Sequence, residues 1–342
     1  MRCLVTGNHG YIGYILVHEL IKSGHEVVGY DCDYFPRDCF GREDAFVSGK
    51  EVKRQIKKDI RDIAPSDFER IDAVIHLAAL PNDPPCEAYP EAAEDINHSG
   101  VVRVAEAARK AGVERFIFAS SCSVFGVKGN DLIDEGDTPC PLTPYGKAKM
   151  RAEIDLNGMS SEKFTVTSMR NATCYGISPR MRFDMVLNSL VGYAYTENSI
   201  KLLSDGTSWR PIVHVDDVAR AYVAALDAPK DEIGGEIISI GTENFVVTDI
   251  AKAVNKVIPE CRIEHASDMK DPRSYRVSFD KMKRILKVKA RWDVYSGAKE
   301  LYKAYKDYGL TRNSFQNNEF WAGKYFNYLV DKKRVDGSMR IL

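Results

Sequence analysis

The feature that most constrains this chain is its first forty residues. A short apolar run, Arg2–Thr6, leads into Gly7-Asn8-His9-Gly10-Tyr11-Ile12-Gly13. An amphipathic stretch, Ile12–Lys22, follows and stops at Ser23-Gly24, and a second strand-like run, Glu26–Asp31, comes next. Three glycines between a strand and a helix have separate uses. Gly7 permits a tight turn, Gly10 lets backbone approach a pyrophosphate, and Gly13 lets the helix pack closely on the strand. The amides of Tyr11 and Ile12 at the helix N-terminus then face the phosphates. Asp31 ends the second strand 18 residues after Gly13, where a carboxylate accepts hydrogen bonds from ribose hydroxyls. It would repel a 2′-phosphate, so the pattern predicts NAD rather than NADP. His9 reads as a solvated loop side chain.

The same alternation continues. Ala73–Ala78 and Phe116–Ser120 are continuous apolar runs of strand length, with a helical pattern over Val101–Lys110 between them. Lys163–Arg170 and Glu236–Ile240 add strands. Strand and helix in turn imply an α/β fold, a Rossmann-type doubly wound parallel sheet covered on both faces. From about residue 173 the pattern changes. Met185–Tyr195, Val218–Ala228, Ile250–Val257, Phe279–Leu286 and Ala298–Tyr305 read as helices, Ile200–Leu203 and Trp209–Val215 as strands. The last ~35 residues give no clear element and read as irregular or packed on the surface. The expected division is a cofactor-binding domain of residues 1–172 and 207–245 and a smaller substrate lobe of 173–206 and 246–342.

Composition removes several classes of function. Forty-eight basic and 49 acidic residues give a net charge of −1, so no general basic field for nucleic acid exists. No apolar run reaches the ~18 residues of a membrane helix. The chain starts on a strand with no signal-like segment, which predicts the cytoplasm. The eight cysteines form no C-x-x-C pair, so free thiols and no metal site are expected.

Tyr145 and Lys149 are four apart and share one helix face. An ammonium near a phenol lowers its pKa and suits it to act as a base. Tyr295/Lys299, Tyr302/Lys306 and Tyr328/Lys332 share the spacing and read as surface pairs. Context separates the first pair. It follows Phe116–Ser120, whose C-terminal end continues as Ser121-Cys122-Ser123, and ligands bind at that end of parallel strands.

Together these motifs resemble the extended short-chain dehydrogenases/reductases of the nucleotide-sugar epimerase/dehydratase type. The matching pieces are the Gly7–Gly13 loop, Asp31, Asp59-Ile60-Arg61-Asp62, His76-Leu77-Ala78-Ala79, Asn97, Ser120–Gly126, Tyr145/Lys149 and Arg210–Asp217. The resemblance implies NAD as cofactor and a nucleoside-diphosphate sugar as substrate. It implies that Asp59 and Ile60 flank the adenine and that Leu77, Ala78 and Ala79 line the ribose and pyrophosphate. Tyr145 would take the proton of a sugar hydroxyl, Lys149 would hold the nicotinamide ribose, and Ser121 would hydrogen-bond the same sugar oxygen. His76 reads as a core histidine, Asn97 as a backbone anchor, and Asp216 or Asp217 as a helix cap.

A diphosphate needs cations. Arg180, Arg182, Arg210 and Arg273 are the candidates, with Asn188 and Thr173 as further substrate contacts. Related 4,6-dehydratases usually carry a carboxylate shortly after the serine at position 121, whereas this chain has Cys122 and Ser123. Oxidation and re-reduction at one carbon need no such carboxylate, which favours a 4-epimerase. A 4,6- or 5,6-dehydratase with Cys122 as an unusual acid or base, a 4-dehydrogenase or ketoreductase, and a non-catalytic NAD-binding module stand as alternatives. A buried inert thiol is the plainer reading of Cys122. The resemblance also implies a homodimer joined through Val101–Lys110 and the Tyr145 helix, although those apolar faces could equally cover the sheet.

Overall fold

The computed structural model describes residues 1–35, 52–202, 204–265, 271 and 273–342. In chain order the strands are β1 (Arg2–Thr6), β2 (Glu26–Asp31), β3 (Arg54–Lys57), β4 (Ala73–His76), β5 (Arg115–Ser121), β6 (Val127–Ile133) and β7 (Thr165–Asn171). They continue as β8 (Thr173–Tyr175), β9 (Ser199–Leu202), β10 (Trp209–His214), β11 (Ile237–Ile240), β12 (Glu243–Val246), β13 (Arg262–His265) and β14 (Ser274–Val277). Seven of them form one parallel sheet in the order β11-β7-β5-β4-β1-β2-β3. The order reverses between β1 and β4, and a crevice opens there at the carboxyl ends of the strands. Both the Gly7–Gly13 loop, after β1, and Leu77–Ala79, after β4, lie at that edge.

Period-two alternation sorts each strand's side chains to the two faces. Cys3, Val5, Ala73, Ile75, Ile117 and Ala119 pack with the helices Tyr11–Lys22 and Val215–Asp227. Leu4, Val74, Phe116 and Phe118 pack on the other face with Gly100–Lys110 and Pro144–Met159. Because both faces are covered, the strands read as apolar runs rather than as alternating ones. The helix Gly100–Lys110 turns Val101, Val104, Ala105 and Ala108 onto the sheet, so its apolar face is accounted for within the chain.

The later chain forms smaller sheets. β10 pairs parallel with β8 and antiparallel with β12, β13 pairs with β9, and β14 pairs with β6. β6, β12 and β13 are largely exposed or half-exposed, and β14 is only four residues long, so none carries a clear periodicity for the sequence to mark. The expected strand Ile200–Leu203 is found as Ser199–Leu202, and Leu203 lies outside the described residues, as does Cys39. The tail differs from expectation. Arg312–Gln316 and Ala322–Asp331 are helices, and Val335 bridges Ile341. The tail is anchored by the buried guanidinium of Arg61, which donates to the carbonyls of Ser338 (2.6 Å) and Met339 (3.1 Å). The cap of Val215–Asp227 also differs. His214 accepts from the Asp216 amide, while the Asp217 carboxylate accepts from the amides of Arg291 and Trp292. No helix among the described residues is long and apolar enough to cross a membrane.

Candidate active site

A cleft of about 690 Å³ runs from the glycine loop to the later sheets. At its first end Gly7 adopts φ +71°, and a Cβ there would lie 2.8 Å from the Ala78 amide. A Cβ on Gly13 would come within 2.2 Å of the Gly7 carbonyl. These positions tolerate nothing larger, and the helix that starts at Tyr11 is left with its first amides free. The Asp31 carboxylate lines the cleft and accepts from the amides of His9 (3.1 Å) and Asp33 (2.9 Å). Burial raises its pKa, and those two amides and His9 counter this. His9 is not a solvated loop side chain: its Nδ1 pairs with Asp33 at 2.6 Å and its ring stacks on Tyr14.

Asp59 and Ile60 also line this end. Asp59 caps a short turn by accepting from the Arg61 amide at 2.9 Å, and it pairs with the Arg61 guanidinium at 2.6 Å. Leu77, Ala78 and Ala79 form the floor. The cradle the glycines leave, the carboxylate of Asp31 and the free amides fit a dinucleotide.

The middle of the cleft holds Ser121, Ser123, Tyr145 and Lys149. The helix Pro144–Met159 starts sharply because Pro144 opens it and the Thr143 hydroxyl caps the Gly146 amide at 3.2 Å. One turn on, Lys149 is buried. Its Nζ donates to the Ala119 carbonyl at 2.7 Å and lies 5.8 Å from the Tyr145 ring centroid. Burial pulls the Lys149 pKa down to about 8, against the pull of Cys86 and Glu153. The Tyr145 phenol is pushed up, mainly by burial, while Arg182 and a hydrogen bond with Ser121 draw it down. Proximity to Lys149 alone therefore does not lower the phenol, contrary to the expectation from spacing. The reason is desolvation, which outweighs a cation held against a backbone carbonyl. None of the other three tyrosine–lysine pairs lines the cleft.

Cys122 is not brought to the cleft. Its side chain points into the core, its Sγ donates to the Arg170 carbonyl at 3.3 Å, and burial pushes the thiol up. Asn188 is also turned away. It is fully buried, accepts from the Gly176 amide at 3.1 Å and donates to the Arg182 carbonyl at 2.9 Å. Asn97 brackets the Leu80 backbone with two hydrogen bonds. His76 is stacked beside Phe116 and Phe118 with Nδ1 on Thr6, and burial lowers its pKa to about 3.

At the far end Thr173, Arg182, Arg210 and Arg273 line the cleft, each arginine with a carboxylate partner. Asp184 takes Arg182 at 2.7 Å. Asp271 takes both Arg210 (2.5 Å) and Arg273 (2.8 Å). Arg273 also reaches Asp83 at 2.5 Å, and Asp83 accepts from Thr143 at 2.6 Å. Asn82 donates to Asp184 at 2.8 Å. The sequence reading missed Asn82, Asp83, Asp184 and Asp271. Only Asp184 and Asp271 had a signal, each standing two residues from a candidate arginine. Behind the site, Glu153 and Arg170 form a buried bidentate pair that ties the Tyr145 helix to β7. Four buried polar atoms of cleft-lining residues lack hydrogen-bond partners: Oδ1 of Asn82, Oγ of Ser123, Oδ1 of Asn171 and Nε of Arg180.

A parallel sheet with a glycine cradle at its switch point, a carboxylate at the end of β2, and a serine, tyrosine and lysine in the same cleft define an NAD-dependent enzyme of the short-chain dehydrogenase/reductase type. The comparisons agree. The profile of the NAD dependent epimerase/dehydratase family matches residues 3–241, and the chain belongs to that family. The uncharacterized UDP-glucose epimerase YtcB of Bacillus subtilis (strain 168) is 30% identical over 285 residues, 78% of this chain and 85% of that protein. The UDP-glucuronate 4-epimerase of Thermodesulfobacterium geofontis is 28% identical, over 87% of this chain and 89% of the relative. Among solved structures, MoeE5 in complex with UDP-glucuronic acid and NAD superposes with a TM-score of 0.77 at 29% identity, covering 90% of this chain and 99% of that one.

Proposed function

We propose that the protein is a nucleotide-sugar 4-epimerase that keeps its NAD through the cycle. The observation that carries this reading is the state of the carboxylates around Tyr145. Asp83, Asp184 and Asp271 are each engaged by an arginine, and positions 122–126, directly after Ser121, hold no carboxylate. Elimination needs a free base at carbon 5, and epimerisation at carbon 4 does not. The relative named above as a UDP-glucuronate 4-epimerase supports the same reading.

Residues 1–172 and 207–245 form the cofactor side in this proposal, and 173–206 and 246–342 the substrate side. Bound NAD supplies a hydride acceptor and a positive charge at its nicotinamide. Tyr145 takes the proton of the 4-hydroxyl and returns it, with the Ser121 hydroxyl holding the same oxygen. Lys149, fixed by the Ala119 carbonyl, keeps a positive charge beneath the ring. Between proton removal and return the 4-keto sugar turns over, and Ser123 offers it an unpartnered hydroxyl. Arg210 and Arg273 meet the diphosphate, with Thr173 beside them. The substrate is a nucleoside-diphosphate sugar, and two copies of the chain pair through the outer faces of Gly100–Lys110 and Pro144–Met159, where Ile154 is exposed.

The test is a product assay by NMR, without added cofactor, on a panel of nucleotide sugars in deuterated water. An epimerase inverts carbon 4, leaves the mass unchanged and introduces no deuterium at carbons 5 or 6. Deuterium at carbon 5 or loss of water from the product would refute the proposal.

A further inference from the structure

The cofactor's pyrophosphate is a dianion. The Gly7–Gly13 loop meets it with amides and a helix N-terminus equivalent to roughly half a positive charge. That leaves charge to be balanced. The cations lining the cleft are nearly all paired: Arg182 with Asp184, Arg210 and Arg273 with Asp271, Lys58 with Asp67, Lys201 with Glu197. Lys149 serves the tyrosine. Arg180 is different. It is 6% exposed, yet no carboxylate among the described residues lies within ion-pair distance. Its two terminal nitrogens donate to the carbonyls of Met181 (2.8 Å) and Glu319 (2.6 Å), and its Nε has no partner.

Its position is set from the cofactor side. The guanidinium lies 3.8 Å from the ring centroid of Phe35, four residues past Asp31. The segment that carries Arg180 is stitched to the glycine loop: Ser178 donates to the Tyr11 carbonyl at 2.7 Å, and the Tyr11 hydroxyl donates to the Gly176 carbonyl at 2.7 Å. A buried cation facing a cleft, bonded only to carbonyls, is poorly compensated. Consistently, burial and neighbouring Arg182 draw its pKa down to about 10.

We propose that Arg180 is the cation for the cofactor's pyrophosphate, delivered to the glycine loop by a segment from beyond β8. The inference does not depend on which sugar carbon is attacked. A nucleotide sugar's diphosphate has the same chemistry, but the contacts with Phe35 and Tyr11 place Arg180 with the cofactor. Arg210 and Arg273 remain for the substrate.

The test titrates the purified full-length protein with NAD, ADP, adenosine and UDP by thermal shift. Arg180→Met should weaken NAD and ADP by about tenfold or more. Adenosine has no phosphate and should change less than about twofold, as should UDP. Arg180→Lys keeps the charge and should lose less than Arg180→Met. Where the methionine variant does not fold, Arg180→Gln removes the charge and keeps a donor, and should show the same pattern. Unchanged NAD and ADP affinity would overturn the proposal. So would a parallel loss for adenosine, which would mean a collapsed pocket, or a loss for UDP alone, which would put Arg180 on the substrate. Equal losses in the lysine and methionine variants would also count against it.

Discussion

The two ends of the cleft are built by different means. The glycine-loop end is mostly backbone: amides freed at a helix start and two glycines with no room for a Cβ, with the Asp31 carboxylate held by two amides and the Arg180 guanidinium held by two carbonyls beside them. The far end uses side chains, arginines tied to Asp184, Asp271 and Asp83. Backbone donors cannot be neutralised by a neighbour's rotamer, so the first end is ready for its ligand as the chain folds. The arginines of the second end are balanced by carboxylates, and a diphosphate must compete for them. Tight, retained binding is expected at the first end and exchangeable binding at the second.

Several outcomes would sharpen or break this contrast. The largest effect is expected between the two ends, at Tyr145. Tyr145→Phe should lower turnover by on the order of 10²-fold or more with NAD still bound. Wild-type turnover in that variant would exclude Tyr145 as the base. Replacing Lys299, Lys306 or Lys332 by Ala should change little. At the cofactor end, Asp31→Ala should weaken NAD by roughly 1–3 kcal/mol in calorimetry. UDP affinity should not follow, and a common loss would mean that the ends are not separate.

At the substrate end, Arg210→Ala should weaken UDP by about tenfold and leave NAD unchanged. An effect on NAD alone would reverse the assignment of the two ends. A smaller effect is expected from pH. Burial lowers Lys149 to about 8, so its ammonium is present below that pH and lost above it. A reaction that uses the cation should therefore show kcat/KM falling as pH rises through about 8. A flat profile to strongly alkaline pH would show that the charge is not needed. The smallest change is expected at Cys122. Cys122→Ala should stay within about twofold in activity, because the thiol faces Arg170 in the core rather than the cleft. A large loss without loss of stability would reopen elimination chemistry through sulfur.

Legibility in the sequence followed the same division. Gly7, Gly13, Asp31 and the Tyr145/Lys149 pair could be found by spacing, because a turn, a strand end and a helix face each act over a few residues. The strands buried on both faces were equally visible as apolar runs, and Glu26–Asp31 was placed to the residue. Asn188 was misjudged, since a helix start near a ligand and a buried backbone anchor use the same residue type. Arg61 was read only as part of a motif, and nothing local shows that it holds a tail some 277 residues away.

The sequence by itself determined the parallel sheet, the glycine turn after its first strand and the shared helix face of Tyr145 and Lys149, all of which arise from short-range backbone geometry and periodic burial. Only the tertiary structure decided which charges are free. Arg273 meets Asp83 across 190 residues, Arg170 meets Glu153 out of water, and Arg180 meets no carboxylate among the described residues. Pairing of charges depends on distance through space and on the loss of solvent around them, and neither quantity is written in the spacing of residues along a chain.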